Sequence, residues 1–106
     1  MSETTSPEVR DAPDAHRYEI AVDGEVAGFA VYQRRGGRTY FVHTEIDPRF
    51  EGRGLGSTLA KAALDAERTR GEPIIPLCPF IRRYIDHHPE YADLVDADLL
   101  ARIDGT

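Results

Sequence analysis

The sequence has a single cysteine, Cys78, among its 106 residues, so no disulfide can form within the chain. A lone thiol suits a reducing compartment, and we expect a cytoplasmic protein. No apolar run approaches the roughly 20 residues that a membrane-spanning helix requires. The acidic, polar start of the chain does not resemble a secretory signal. With 41% hydrophobic and 30% charged residues, the sequence predicts one globular domain that needs no membrane partner.

The sequence also lacks an excess of basic residues. Its net charge is −6. The acidic surplus lies at the two ends, in residues 1–15 and 91–106, whereas acidic and basic residues balance between them. Domains that bind nucleic acids neutralise phosphates with a basic patch. We therefore do not expect DNA or RNA as the main partner.

The sequence also lacks side chains at the spacing that metal ligands have in known sites. His87 and His88 are adjacent, so on a helix their side chains point about 100° apart and cannot share a ligand. Structural and catalytic metal sites need several histidine, cysteine or carboxylate side chains that converge. With Cys78 as the one thiol, the sequence predicts no metal site.

The first half of the chain predicts a tail and then a meander of strands. Residues 1–15 are polar and acidic, with two prolines, and are predicted to be a disordered tail. From residue 16 onward, apolar and polar residues alternate with the period of half-buried strands. The pairs Asp23-Gly24 and Gly36-Gly37 predict the two hairpin turns of a three-stranded antiparallel meander.

The third strand of this meander is predicted over residues 38–46. Strict alternation would place Tyr40, Val42, Thr44 and Ile46 on one face. It would place Thr39, Phe41, His43 and Glu45 on the other. Asp47-Pro48 ends the strand.

The second half predicts helix, strand and helix. A helix should extend from about Gly54 to Arg70, with Gly71 as its stop. Its predicted apolar stripe comprises Leu55, Leu59, Ala62, Ala63 and Ala66. Leu64 falls on the opposite side without an explanation from the sequence.

A short buried strand is predicted in "EPIIPLCP", where three prolines limit its pairing. A second helix should cover residues 80–88 and end at Pro89, and a weaker helical stretch covers residues 92–103. The fold class is therefore α+β, and residues 16–106 form a single domain.

Three glycines, Gly52, Gly54 and Gly56, stand at the mouth of the first predicted helix. Free amides and the helix dipole at such an end favour an anion, and glycine lets a ligand approach the backbone closely. The phosphate-loop motif G-x-x-x-x-G-K-[ST] is absent, and the spacing G-x-G-x-G differs from the dinucleotide fingerprint G-x-G-x-x-G. Two interpretations remain open at this point: a phosphate cradle, or a tight strand-to-helix turn.

The segment "IDPRFEGRGLGSTLAKAALD" resembles the acetyl-CoA loop and helix of the GNAT superfamily of N-acetyltransferases, whose pattern is [QR]-x-x-G-x-[GA]. Gly54 and Gly56 match this pattern, whereas Glu51 stands where Gln or Arg is usual. The later segment "PLCPFIRRYIDHHPEY" is similar to the small, single-domain YjdJ-type subfamily. The resemblance covers about residues 16–94.

The resemblance implies a minimal GNAT fold, in which a mixed sheet splays open between the strands on either side of the first helix. It implies acetyl-CoA as co-substrate and an amine as acceptor. Amides of the third strand, at Thr44, Glu45 and Ile46, would bind the pantetheine arm. The pyrophosphate would be bound by amides of the glycine loop, at Arg53, Gly54, Leu55, Gly56 and Ser57.

Three side chains are candidates for the chemistry of acetyl transfer. Cys78 could be a nucleophile that forms an acetyl-cysteine, or a small buried apolar residue. Tyr84 lies where, by resemblance, a tyrosine protonates the leaving thiolate, or it is a core tyrosine. His43 could be a base oriented by Glu45, or a structural histidine.

The sequence thus predicts an acetyl-CoA-dependent N-acetyltransferase, with direct transfer favoured over an acetyl-Cys78 intermediate. The alternatives are a non-catalytic module that binds acyl-CoA and a protein-interaction module that keeps only the fold. No local motif identifies the acceptor amine. We expect a monomer or a weak dimer.

Overall fold

A computed structural model describes residues 7–105 of the chain. Its centre is one mixed sheet of five strands, in the spatial order β1-β2-β3-β4-β5. The strands are β1 (Glu8–Ala12), β2 (Arg17–Val22), β3 (Glu25–Arg35), β4 (Arg38–Ile46) and β5 (Ile74–Pro76). Strands β1 to β4 are antiparallel neighbours, and β5 runs parallel to β4. The predicted α+β class is confirmed.

Three α-helices and three short 3₁₀ turns complete the described part of the chain. The helices are α1 (Leu55–Arg70), α2 (Pro79–His87) and α3 (Ala97–Gly105). The 3₁₀ turns are Pro13–Ala15, Pro48–Phe50 and Pro89–Leu94. Both predicted hairpin turns are present, with positive φ at all four of their central residues.

The prediction of a disordered tail was wrong for residues 8–15. Residues 8–12 form β1, whose Val9 pairs with Ile20 of β2 and packs against the core. An edge strand needs few apolar residues because only one of its faces is packed, so a polar segment can still form one. Residues 1–6 of the predicted tail lie outside the described residues.

A β-bulge in β4 corrects the predicted alternation of its faces. Val31 pairs with His43 and Tyr32 pairs with Phe41, so Val42 is an extra residue without a partner in β3. Phe41 is fully buried, whereas His43 is exposed. The prediction that they share a face was therefore wrong, because one inserted residue reverses the side of every residue after it.

Helix α1 buries a different stripe from the predicted one. Its buried residues are Leu55, Leu59, Ala60, Ala63, Leu64 and Glu67. Leu64, predicted on the outside, is fully buried, and Ala62 and Ala66 lie at the border. Alanines lie on both sides of Leu64, and alanine is compatible with either face of a helix. The sequence therefore does not identify the centre of the buried face.

The carboxyl-terminal segment also differs from its prediction as one helical stretch over residues 92–103. A 3₁₀ turn ends at Leu94, and α3 begins at Ala97. Asp96 causes the break because its backbone amide donates to the carbonyl of Ile74 and its carboxylate accepts from the amide of Leu99. The second contact is a side-chain cap at the start of α3.

Strands β4 and β5 pair over only three residues before they separate. The pairing ends at Phe41 and Pro76. The amides of Leu77 and Cys78 both donate to the carbonyl of Phe41, at 2.9 Å each, as the chain leaves the sheet. Beyond this point β4 continues to Ile46 without β5 beside it, which opens the sheet next to the start of α1.

Candidate functional site

A cavity of about 360 Å³ lies where β4 leaves β5 and α1 begins. Residues of three segments line it: the end of β4, the glycine turn (residues 50–57, which include the first turn of α1) and the first turn of α2. They are Thr44, Glu45, Ile46, Phe50, Glu51, Gly52, Gly54, Leu55, Gly56, Ser57 and Phe80. Seven of the eight residues predicted to bind the cofactor are therefore gathered around one space, and Arg53 is not among its lining residues.

The glycine turn presents unpaired amides to this cavity. Gly54 is the N-cap of α1 and has a φ of 73°, a left-handed conformation that favours glycine. The amide of Thr58 donates to the carbonyl of Gly54 at 3.2 Å, so the amides of Leu55, Gly56 and Ser57 precede the first amide that donates within the helix. These amides and the helix dipole create positive potential at the cavity wall.

Side chains around the turn leave room for a ligand. A Cβ built on Gly54 meets no heavy atom within 4 Å, so this face of the turn is open. Glu51 lines the cavity, but Arg49 does not offset its charge, because Arg49 is bound to Asp47 and Glu25. The guanidinium of Arg53 lies over the ring of Phe50, 5.3 Å from its centre.

Cys78 and Thr44 meet across the split between the strands. The Cys78 thiol donates to the Thr44 hydroxyl, with 3.2 Å between Sγ and Oγ1. Cys78 is only 3% exposed, whereas Thr44 lines the cavity. Cys78 is also the N-cap of α2, where the helix dipole favours negative charge.

Comparison with known proteins identifies the family. The family model described as GCN5-related N-acetyl-transferase matches residues 17–94, which is more than half of the chain. The chain belongs to the GCN5-related N-acetyltransferase family. One similar solved structure is the solution NMR structure of a GCN5-like protein from Staphylococcus aureus. It is 20% identical, has a TM-score of 0.63, and the match covers 83% of this chain and 86% of that one.

No curated protein matches this chain at a significant level. The resemblance to the Staphylococcus aureus structure extends to the fold: both chains are similar over most of their length. No helix among residues 7–105 is long and apolar enough to cross a membrane. In the same part of the chain, no group of three or more His, Cys, Asp or Glu side chains could hold a metal ion.

The acyl donor typical of this family, acetyl-CoA, carries two groups whose chemistry matches features of the cavity wall. Acetyl-CoA carries a pyrophosphate, which suits the unpaired amides and positive dipole at the mouth of α1. It also carries an extended pantetheine arm, which suits the edge of β4 that β5 leaves free. Residues 54–57 would hold the first group and residues 44–46 the second. Glu45 and Glu51 are the two acidic lining residues, whose charge opposes a phosphate.

His43 lies apart from the pair of Cys78 and Thr44. The bulge at Val42 places His43 on the opposite face of the sheet, where its ring is 6.4 Å from that of Phe29. Its Nε2 is 3.1 Å from Oε1 of Glu45, and both side chains are more than half exposed. The predicted pairing of His43 with Glu45 is therefore present, on the face of the sheet away from Thr44.

Tyr84 lines a second, smaller cavity of about 130 Å³. Tyr84 lies six positions after Cys78, the N-cap of α2, and this spacing corresponds to about 9 Å of helical rise. The Tyr84 ring stacks on that of His88 with 3.9 Å between centres, and burial raises the pKa of its hydroxyl. The two predicted catalytic side chains of α2 are thus not in one place.

Two residues that shape the site, Phe80 and Gly28, were not predicted from the sequence. Phe80 lines both cavities, at the first turn of α2. Gly28 of β3 pairs with Ile46, and a Cβ on it would lie 2.6 Å from the carbonyl oxygen of Glu45. Gly28 therefore lets the end of β4 approach β3 closely. A glycine inside an alternating strand was the available signal.

Proposed function

We propose that the protein transfers an acetyl group from acetyl-CoA to an amine. The observation that supports this proposal best is that the unpaired amides of α1 and the free edge of β4 line the same cavity. Family membership supports acetyl transfer as the reaction class. The cavity offers a place where acetyl-CoA could bind. The similarity of "PLCPFIRRYIDHHPEY" to the YjdJ-type subfamily further supports a cytoplasmic N-acetyltransferase.

Acetyl-CoA supplies a thioester whose carbonyl carbon an amine can attack. We assign to residues 54–57 the binding of its pyrophosphate, and to residues 44–46 the orientation of its arm. Thr44 has a further role. Its oxygen accepts a hydrogen bond from the Cys78 thiol, so its own hydroxyl proton remains available to a group in the cavity. A hydroxyl in this position can stabilise negative charge that develops during acyl transfer.

The acceptor amine must lose its proton before it attacks. His43, oriented by Glu45, is our candidate base: the pair is exposed on the sheet face opposite Thr44, from which an amine would approach the split. Tyr84 is our candidate proton donor. Burial raises its pKa, which keeps the hydroxyl protonated at neutral pH. Cys78 acts in this proposal by positioning Thr44.

A turnover assay tests the proposal. The purified chain is mixed with acetyl-CoA and a panel of amines that includes polyamines, lysine peptides and aminoglycosides. Release of free CoA thiol and the mass of the acetylated amine are measured together. We expect thiol release that depends on the amine, and a lower rate in His43→Ala. Saturable binding of acetyl-CoA without turnover of any amine would contradict the proposal.

A further inference from the structure

Phe80 is an aromatic side chain on the surface between two cavities. It lines the cavity at the mouth of α1 and the smaller cavity that contains Tyr84. With 37% of its surface exposed, it is one of two large hydrophobic residues that are exposed in the described part of the chain. Ser57 also lines both cavities, so the two spaces adjoin at the first turns of α1 and α2.

The tip of the Phe80 ring rests on the backbone of Gly56. A Cβ built on Gly56 would lie 2.7 Å from Cζ and 3.3 Å from Cε1 of Phe80. Real Cβ atoms do not approach other atoms so closely, so any side chain at residue 56 would force the ring to move. The ring therefore fills the space beside the α-carbon of Gly56, in the first turn of α1.

We propose that Phe80 is a movable partition, which turns away from Gly56 when a phosphate-bearing ligand binds and joins the two cavities into one groove. This inference rests on the proposed function. A phosphate bound at the amides of residues 54–57 would lie next to the ring, because Phe80 and these residues line the same cavity. The ring contacts a glycine rather than an interlocking side chain, and surface side chains change rotamer on a picosecond to nanosecond timescale.

The same movement would give Tyr84 access to the bound donor. Tyr84 lines the smaller cavity, and Phe80 is common to both. When the ring turns away, the cavity that Tyr84 lines opens into the groove that holds the donor. Binding of a phosphate group would thus move Phe80 and bring Tyr84 together with the other reacting groups.

Substitutions on both sides of the contact test this partition. Phe80→Ala removes the ring, and Gly56→Ala pushes it away while keeping a residue that suits a helix. We expect each to strengthen binding of acetyl-CoA about threefold, because the ligand no longer has to displace the ring. Since both act on one contact, the double variant should bind no more tightly than Phe80→Ala alone.

Two controls isolate the effect. Ile103→Ala removes the other exposed hydrophobic side chain, which lies on α3, and should leave affinity unchanged. S-acetylpantetheine has no pyrophosphate, so Phe80→Ala should not strengthen its binding.

Proton NMR reports the movement directly. We expect a nuclear Overhauser effect between the Phe80 ring and the α-protons of Gly56 in the free protein, and its loss in the saturated complex. Persistence of this effect in the complex, or weaker binding by Phe80→Ala, would overturn the partition and make the ring a fixed platform. A wild-type protein that does not bind acetyl-CoA would overturn the proposed function itself.

Discussion

The Cys78 thiol donates a hydrogen bond to the Thr44 hydroxyl across the split between β4 and β5, with 3.2 Å between the two atoms. Only Thr44 of this pair lines the cavity. Since the thiol proton points toward Thr44, the sulfur is committed to a neighbour and shielded from solvent. This arrangement supports direct transfer to the amine, with Thr44 as a hydrogen-bond donor.

Substitution of Thr44 should therefore cost more activity than substitution of Cys78. We expect Thr44→Val to lower kcat about 100-fold, as the loss of a donor to developing charge does in other acyl-transfer sites. Cys78→Ala should lower kcat less than tenfold, because it removes only one neutral hydrogen bond, on the order of 1 kcal/mol. Steady-state rates for both variants check this order.

Intact-mass spectrometry during turnover tests directly whether Cys78 becomes acetylated. Cys78→Ser is the matched variant, because its hydroxyl keeps a hydrogen-bond donor next to Thr44. No acetylated protein should accumulate. An acetyl adduct that disappears in Cys78→Ala together with all turnover would instead establish Cys78 as the nucleophile.

Gly28 should tolerate no side chain. Its Cβ would meet the Glu45 carbonyl oxygen at 2.6 Å and Cδ1 of Ile46 at 2.5 Å. We expect Gly28→Ala to destabilise the fold by about 1–3 kcal/mol, as overpacking does. Urea unfolding measures the loss. Adding Ile46→Val removes one of the two clashes, so it should restore part of the stability; full restoration would show that β4 moves freely away from β3.

Glu67 is a buried carboxylate that joins α1 to the sheet. Its Oε2 accepts from the Tyr18 hydroxyl at 2.6 Å and from Arg34 at 2.8 Å. Its Oε1 has no hydrogen-bond partner among the described residues and lies 3.7 Å from Nε of Arg70. Breaking such a pair leaves a partly buried guanidinium without its partner.

We expect Glu67→Ala to lower the free energy of unfolding by about 3 kcal/mol, and Glu67→Gln to lower it less because it keeps the volume and one acceptor. Glu72→Ala is the matched control: it breaks the exposed pair of Glu72 with Arg70 and should change stability by less than about 0.5 kcal/mol. Equal effects at Glu67 and Glu72 would contradict the account of a buried junction. Denaturant unfolding curves of the three variants decide.

Three buried tyrosines that donate to carboxylates should make the protein sensitive to alkali. Burial, together with hydrogen bonds to carboxylates, raises the pKa of Tyr32 and of Tyr91 to about 12 and raises that of Tyr18 as well. An unfolded tyrosine has a pKa of about 10. The folded state therefore holds more protons between these values, and stability falls as pH rises through that window.

We expect the free energy of unfolding from this source to be constant below about pH 10 and to fall between pH 10 and 12. Denaturant unfolding at stepped pH, with phenolate absorbance recorded in parallel, measures both quantities. Tyr91→Phe should reduce the slope by the contribution of one proton. An unchanged slope would show that Tyr91 ionises normally in the folded protein.

Local patterns predicted much of this fold. The turns at residues 23–24 and 36–37 and the stop at Gly71 depend on residues whose backbone preferences act locally. The glycines before α1 likewise indicated a turn from local preferences, and this turn forms part of the cavity wall. The gathering of residues 44–46 with residues 54–57 followed from the resemblance, which places the two segments at the same opening of the sheet.

Features set by contacts between distant segments could not be predicted in this way. The extra residue Val42 is visible only in the register of β3 against β4. Burial of Glu67 depends on Arg34 and Tyr18, which are far away in the sequence. Phe80 resembles any apolar residue of a helix until its ring is found on Gly56.

Calorimetric titration with acetyl-CoA tests the central claim most directly, in the wild type, Gly54→Glu and Gly71→Glu. Gly54 and Gly71 cap opposite ends of α1, both with positive φ and open space beside them, so the two substitutions impose similar backbone strain. Only Gly54→Glu places a carboxylate at the proposed phosphate site. We predict saturable binding by the wild type and by Gly71→Glu, and none by Gly54→Glu. Equal binding by all three proteins would contradict a pyrophosphate cradle at the mouth of α1.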